Sequence, residues 1–145
     1  NAGSRTCFLN NLDDRTERDF MWLINDDGFF STVADWDDSD WLYVRGRSET
    51  DIEAFINGVS LMAVEHSWEP VLENTPDRDY AWRVHVPRVI WGEYLLKKSE
   101  ELDYGNFKSH CSEKWNSEDR DFSYERLQLL HDAWMLFNHW PDSQL

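Results

Sequence analysis

The chain has 145 residues, of which 29 are acidic and 14 basic, so its formal net charge is −15 at pH 7. Its length fits one domain around one core, and its aromatic content of 15% argues against intrinsic disorder. A negative field of this size repels phosphate backbones, so binding to duplex nucleic acid is disfavoured. Solubility alone accounts for such acidity. The sharper alternatives are a surface that attracts a basic partner and a surface that mimics nucleic acid.

Cysteine content and hydrophobic run length bear on the cellular compartment. No apolar run approaches the roughly 18 residues that a membrane-spanning helix needs, and no signal peptide begins the chain. The two cysteines, Cys7 and Cys111, are too few for a disulfide-stapled secreted domain. We therefore expect a reduced, cytoplasmic protein that does not contact membranes. Residues 1–19 are interpreted as an N-terminal arm, with a tag remnant at residues 1–4, before a single domain at residues 20–145.

The first part of that domain has the pattern of β-strands. Two apolar runs, at residues 20–24 and 29–34, flank the turn signal Asn25–Gly28 and predict a β-hairpin. An acidic loop follows at residues 35–40, and a third strand is predicted at residues 41–47.

The middle of the chain is predicted to contain one short helix and further strands. Ser48, with Asp51 three residues later, predicts a capping box at the start of that helix. The segment at residues 59–73 is interpreted as one bent strand or a hairpin, and residues 79–86 are predicted to form a strand.

The last part of the chain has helical periodicity. A helix is predicted from Pro87 to about Leu102, followed by a short helix at residues 106–115. An amphipathic helix then starts near Ser117 or Ser123 and stops before the last proline. These elements lack βαβ alternation, so we predict an α+β fold. It has a mostly antiparallel sheet of about five strands, with two or three helices on one face.

No catalytic or metal-binding motif is present in the sequence. A calcium loop that begins at Asp35 requires Gly at its sixth position and Glu at its twelfth, but these positions hold Asp40 and Gly46. The histidines and cysteines lack zinc-site spacing, and there is no nucleophile elbow or Gly-rich phosphate loop. We therefore predict no catalytic residue, no metal ligand and no cofactor, and the lack of motifs favours a protein that is not an enzyme.

Strand alternation gathers basic and aromatic side chains on one face of the predicted sheet. In one reading, acidic side chains cover these arginines in ion pairs. In the other, they form a platform that binds an anion or other ligand, because arginine forks suit phosphate and aromatic rings suit stacking. The candidate residues are Trp41, Tyr43, Arg45, Arg47, Arg83 and His85.

The acidic loop is the second candidate site, because it combines carboxylates with an aromatic ring. Tryptophan is favoured at protein interfaces, so this loop is a candidate protein-binding surface. Its residues are Asp35, Trp36, Asp37, Asp38 and Asp40. Four tryptophans on apolar patterns are assigned to the core: Trp22, Trp82, Trp91 and Trp134. Those beside polar residues are interpreted as surface positions: Trp36, Trp41, Trp68, Trp115 and Trp140.

Several stretches together resemble a small family of bacterial and phage proteins without an established activity. They are Met21–Val33, Leu42–Arg47, Asp51–Glu53, Thr75–Val84, Val86–Arg88, Asp103–Lys108 and the last helix. The resemblance covers about residues 20–137 and implies a bacterial or phage origin, but it implies no mechanism. Its patterned stretches include Arg45, Arg47, Arg83, Asp103, Asn106 and Lys108. In a structural reading, the arginines pair with carboxylates and Asp103 caps a helix.

The favoured function is binding to another protein that has a basic surface. An inhibitor or a nucleic-acid mimic is one concrete version. The alternative is a binder of nucleotides or short single strands that uses the arginine and aromatic face. A third is an enzyme whose site is assembled around Asp103, Asn106 and Lys108. The sequence leaves the oligomeric state and the identity of the partner open.

Overall fold

The computed structural model describes residues 19–141, so the predicted arm lies almost entirely outside the described part of the chain. The helices and strands are β1 (Phe20–Asn25), β2 (Gly28–Ala34), β3 (Trp41–Gly46), α1 (Glu49–Gly58), α2 (Ser60–Glu65), β4 (Glu73–Asn74), β5 (Trp82–Pro87), α3 (Arg88–Glu100), α4 (Phe107–Ser117) and α5 (Ser123–His139). None of the helices within residues 19–141 has the length and apolar character needed to cross a membrane.

The strands form one antiparallel sheet in the order β1-β2-β3-β5-β4. The predicted α+β fold with a sheet of about five strands is therefore confirmed. The described chain divides into two compact units, residues 19–101 and residues 102–141. The single domain predicted for residues 20–145 stays a prediction.

The first unit contains the sheet, and its core lies between one sheet face and helices α1 and α3. Strand alternation places Leu42, Val44, Val84 and Val86 on this face, and Phe55 and Tyr94 meet them from the helices. Their rings also contact each other, with centroids 4.8 Å apart. The buried core consists of Phe30, Leu42, Val44, Ile52, Phe55, Val59, Val84, Val86, Ile90, Trp91 and Tyr94.

The predicted β-hairpin is confirmed, and its turn depends on a glycine. Gly28 has a φ of +150°, and a Cβ added there would overlap the carboxylate of Asp51 on α1. That carboxylate accepts a hydrogen bond from the Phe29 amide at 3.1 Å. Only a residue without a side chain lets the helix approach the hairpin this closely.

A buried group of charged residues ties the same hairpin to α3. Lys98 Nζ lies 2.9 Å from Asp26 Oδ1 and 3.0 Å from Asp27 Oδ2. The Tyr94 hydroxyl donates to Asp27 Oδ2 at 2.6 Å and accepts from the Asn25 side-chain amide at 2.9 Å. Burial by itself lowers the pKa of Lys98, but the two carboxylates outweigh it and raise that pKa above its ordinary value.

The second unit consists of α4 and α5, which pack against each other. Asn106 caps α4, because its side-chain oxygen accepts a hydrogen bond from the Ser109 amide at 2.9 Å. Cys111 and Trp115 on α4 are buried. The apolar residues of α5 are mostly exposed, and Leu136 and Phe137 are examples.

The strand predicted within residues 59–73 is wrong over most of that segment. Residues 60–65 form α2, and only Glu73 and Asn74 at the end join the sheet as β4. Val59 and Ala63 are buried one helical turn apart. A short apolar run rich in β-branched residues does not distinguish a strand from a half-buried helix.

Other predicted boundaries also need correction. The capping box is wrong: Ser48 Oγ contacts Thr50 Oγ1 at 2.8 Å, and the Asp51 carboxylate turns to β2. The strand predicted at residues 79–86 is β5, which begins only at Trp82 because residues 78–81 have irregular backbone. Pro87 ends β5 and directly precedes α3, instead of being its first residue.

The buried hydroxyl of Thr32 generates a prediction about stability. Thr32 lies on the helix-facing side of β2 opposite Val44, and its Oγ1 has no hydrogen-bond partner among the described residues. We expect Thr32→Val to raise the free energy of unfolding by about 1 kcal/mol, since it removes an unsatisfied polar group without changing shape. Chemical denaturation measures this. Thr32→Ser keeps the hydroxyl and loses the methyl group, so a gain with that variant would contradict the explanation.

Lys98 generates a second prediction. We expect Lys98→Met to lower the free energy of unfolding by about 3 kcal/mol, because it removes a cation that lies between two buried carboxylates. Lys97→Met is the matched control: within residues 19–141, Lys97 donates to the Gly58 carbonyl alone, at 2.7 Å, so its loss is expected to cost about 1 kcal/mol. Equal effects of the two variants in chemical denaturation would contradict this account.

Candidate binding surface

The register of β3 and β5 brings five of the predicted residues onto one face of the sheet. Tyr43 pairs with His85, and Arg45 pairs with Arg83. Trp41 lies two residues before Tyr43, so its side chain points to the same side. We call Trp41, Tyr43, Arg45, Arg83 and His85 the arginine-aromatic face. It lies opposite the face that carries the core.

Arg47, the sixth predicted residue, lies beyond the end of the strand that carries this face. The strand β3 ends at Gly46, and Arg47 is an exposed residue in the bend that leads to α1. The alternation rule applies only while the strand continues, so it does not place the Arg47 side chain.

His85 is enclosed by aromatic rings and by the acidic loop. Its ring stacks on Trp41 with centroids 4.5 Å apart, and the Tyr43 centroid lies at 4.6 Å. Its Nε2 lies 2.7 Å from Asp35 Oδ2. The Asp37 backbone amide and His85 both stabilise the Asp35 carboxylate, which lowers the pKa of Asp35.

The Arg45 guanidinium is held by groups of the same unit. Its Nε donates to the Ser31 carbonyl at 3.1 Å and its Nη2 to Ser31 Oγ at 2.6 Å. Its Cζ lies 4.8 Å from the centre of the Tyr80 ring, within the range of a cation–π interaction. The Arg83 side chain donates to the Tyr80 carbonyl at 3.1 Å, and Arg83 is only 7% exposed. Both guanidinium groups therefore donate hydrogen bonds to groups of the fold.

Tyr80 and Trp22 are members of this surface that the sequence pattern misplaced. Alternation along a strand at residues 79–86 would place Tyr80 opposite Arg83 and His85, on the core face, but the irregular backbone before Trp82 turns it towards Arg45. Trp22 was assigned to the core, yet it is 62% exposed, and its indole N–H donates to the Tyr80 hydroxyl at 3.2 Å. Phe29 also lies on this surface, and its ring centroid is 5.6 Å from that of Trp22.

The remaining tryptophans follow the predictions in part. Trp91 is buried and Trp82 packs against the core, as predicted. Trp134 is 55% exposed, so its core assignment is wrong. Trp115 is buried despite its polar neighbours in the sequence, so its surface assignment is also wrong. Helical neighbours in space lie three or four residues apart, and the adjacent residues do not determine burial.

Carboxylates of the acidic loop at residues 35–40 build its conformation. The Asp35 carboxylate accepts from the Asp37 amide at 2.8 Å, and the Asp38 carboxylate accepts from the Asp40 amide at 3.0 Å. These are the local side-chain bonds that aspartate forms in turns. The Asp35 amide also donates to the Trp41 carbonyl at 3.0 Å. The loop therefore has a defined shape.

The loop divides into one inward residue and several outward ones. Asp35 is half-buried against His85, so it attaches the loop to the arginine-aromatic face. Trp36 is 43% exposed, and the other three carboxylates are exposed as well. The outward residues are Trp36, Asp37, Asp38 and Asp40. The structure thus places the predicted loop and the arginine-aromatic face side by side, joined through Asp35.

The residues considered for an assembled active site lie in the second unit. Asn106 is a helix cap, the role that the structural reading had given to Asp103. Lys108 Nζ lies 3.2 Å from His131 Nδ1 and 5.6 Å from the centre of the Trp134 ring. Within residues 19–141, no three His, Cys, Asp or Glu side chains are grouped so that they could hold a metal ion.

Comparisons of the chain with protein-family models, with curated proteins and with solved structures gave no match. The resemblance to a bacterial and phage family therefore stays a prediction.

The Asp35–His85 contact generates a prediction about acid stability. Because the folded pKa of Asp35 is lowered, its contribution is complete above its ordinary pKa of about 4 and is lost as the pH falls through the lower folded value. We expect Asp35→Asn to reduce the loss of stability between pH 5 and pH 2, roughly. Asp40→Asn, an exposed position of the same loop, is the control. Identical acid profiles of wild type and Asp35→Asn would contradict the prediction.

Proposed function

We propose that this protein acts by binding another protein that presents a basic surface, and that the acidic loop is the contact site. The observation that carries the proposal is the loop's combination of internal order and outward charge. Asp35 and Asp38 hold its backbone through their own hydrogen bonds, while Asp37 and Asp40 are exposed beside Trp36.

Order in the free protein favours binding because it lowers the conformational entropy lost on association. The loop is supported from one side by the Asp35–His85 contact at 2.7 Å. It is supported at its end by Arg88, whose Nε donates to the Ser39 carbonyl at 2.7 Å. A partner therefore meets a surface whose shape is already set.

Charge and aromatic area have separate roles in this proposal. The net charge of −15 attracts a basic partner from a distance and raises the association rate. Trp36 supplies contact area of the kind that dominates interface energies. The combination fits a basic surface with an apolar recess. Inhibition of a nucleic-acid-binding protein by mimicry is one specific form of this proposal, supported by the same charge.

Binding of nucleotides or short single strands through the arginine-aromatic face has less support. An anion platform requires arginine forks directed to the ligand. Arg45 is bonded to Ser31 and stacked on Tyr80, and Arg83 is buried. His85 faces a carboxylate. These contacts direct the side chains of Arg45, Arg83 and His85 to groups of the fold instead of to a ligand.

The loop proposal is tested by removing its outward charges. We expect the triple variant Asp37→Asn/Asp38→Asn/Asp40→Asn to lose at least about tenfold in affinity for a partner captured from a bacterial lysate, because several charge pairs are lost together. Trp36→Ala is expected to have an effect of similar size. Quantitative mass spectrometry of the captured proteins identifies the partner, and titration with the purified partner measures the affinity.

The matched control removes the same number of charges elsewhere. Glu49→Gln/Glu53→Gln/Glu65→Gln neutralises three exposed carboxylates on α1 and α2. It reduces the net negative charge by the same amount as the loop variant. Its effect on affinity therefore measures only the attraction that comes from the net charge. A partner that loses affinity equally with both triple variants would show attraction by net charge alone and would contradict a site at the loop.

A further inference from the structure

One edge of the sheet lacks the features that normally prevent edge-to-edge pairing. β1 is an outer strand of the described sheet, and its six residues include no charge, no proline and no glycine. Phe20 is 57% exposed and Ile24 is 48% exposed. The opposite edge, β4, has only two residues and carries the exposed Glu73. Proteins protect sheet edges by shortness and charge, and here only β4 has that protection.

The hairpin register shows which backbone groups of β1 point outwards. Phe29 lies opposite Ile24, and its N–H donates to Asp51 on the far side instead of to β1. Ile24 and Phe29 therefore form a pair without mutual backbone hydrogen bonds, and such pairs alternate along an antiparallel ladder. The residues whose backbone groups point away from β2 are Phe20, Trp22 and Ile24.

We propose that β1 pairs antiparallel with β1 of a second copy of this chain, about a two-fold axis through Trp22. When the two-fold axis passes through a residue, each residue of one strand pairs with a residue whose side chain lies on the same face of the joined sheet. Trp22 is the middle one of the three residues whose backbone groups point away from β2. Phe20 then lies opposite Ile24 of the second copy, and Met21 lies opposite Leu23 of the second copy. Each of these pairs is apolar, and the two sheets become one.

The lack of carboxylates along β1 argues against a basic partner at this edge. Asp26 and Asp27, the carboxylates that adjoin β1, already bind Lys98 inside the unit. Exposed Asp19, just before β1, lies opposite Asn25 of the second copy in this register, so no two carboxylates meet directly. A basic strand would find no carboxylate along β1. The edge therefore suits an uncharged apolar strand, and β1 is itself such a strand.

The contact is small, so we expect weak association. Phe20 and Trp22 each expose more than half of their surface, which corresponds to roughly 200 Å² per copy for the two rings. A standard interface buries about 800 Å² per partner. Salt screens the repulsion between two acidic chains. Dimerisation is therefore expected in the micromolar range or above, and it strengthens as the salt concentration rises.

Sedimentation velocity of the full chain over a concentration series, at low and high salt, tests the proposal. We expect a reversible dimer whose dissociation constant rises at least about tenfold with Trp22→Lys. Ile24→Lys is a second variant in case the first does not fold, which circular dichroism checks. Leu61→Lys on α2 is the control, because Leu61 is also exposed and apolar and lies outside the sheet. Its dimerisation is expected to match that of wild type.

Amide hydrogen exchange locates the contact. The amides of Phe20, Trp22 and Ile24 are expected to gain protection as protein concentration rises, whereas those of Met21 and Leu23 keep theirs. A chain that stays monomeric at every concentration overturns the proposal. That result is expected if another protein or another segment of this chain occupies the edge. A dimer that folded edge variants retain also overturns it. Trp36→Ala, the loop variant that keeps the charge, is expected to leave sedimentation unchanged, so this test is separate from that of the proposed function.

Discussion

The contact between Lys98 and the two turn carboxylates, Asp26 and Asp27, is the interaction on which the first unit depends most. Lys98 and Tyr94 lie one helical turn apart on α3, so both reach the same turn. In the described sheet, β1 pairs only with β2, and the hairpin turn is where this edge is attached to the helical layer. An ammonium group between buried carboxylates has few alternative positions, because separating the charges leaves each of them desolvated.

Several basic side chains of this acidic chain bind groups inside the fold. Lys98 and Arg45 are directed to groups within the fold, and Lys97 binds a backbone carbonyl. The exposed loop carboxylates, by contrast, keep their charge at the surface. These three cations are therefore directed to the fold and away from the acidic exterior. That exterior is what a basic partner would meet at the acidic loop.

The acidic loop and the outer strand β1 occupy neighbouring parts of the described sheet. Phe20, at the start of β1, pairs with Val33, two residues before the loop begins. A two-fold pairing of β1 therefore gives an assembly that carries two copies of the loop. Two linked sites raise the apparent affinity for a partner with repeated basic surfaces, without any new contact in either site. The two proposals are physically independent, but together they describe a bivalent acidic binder.

The sequence by itself determined the features that depend on near neighbours in the chain. The hairpin, the α3 helix and the side of its own strand on which Arg45 or Arg83 lies follow from turn chemistry and side-chain period, which act over a few residues. Only the tertiary structure decided that Trp22 lies on an outer strand of the described sheet and that Lys98 meets Asp26, 72 residues away. These outcomes depend on which strand is outermost and on which helix crosses the turn. No local pattern specifies either, because both arise from packing between distant segments.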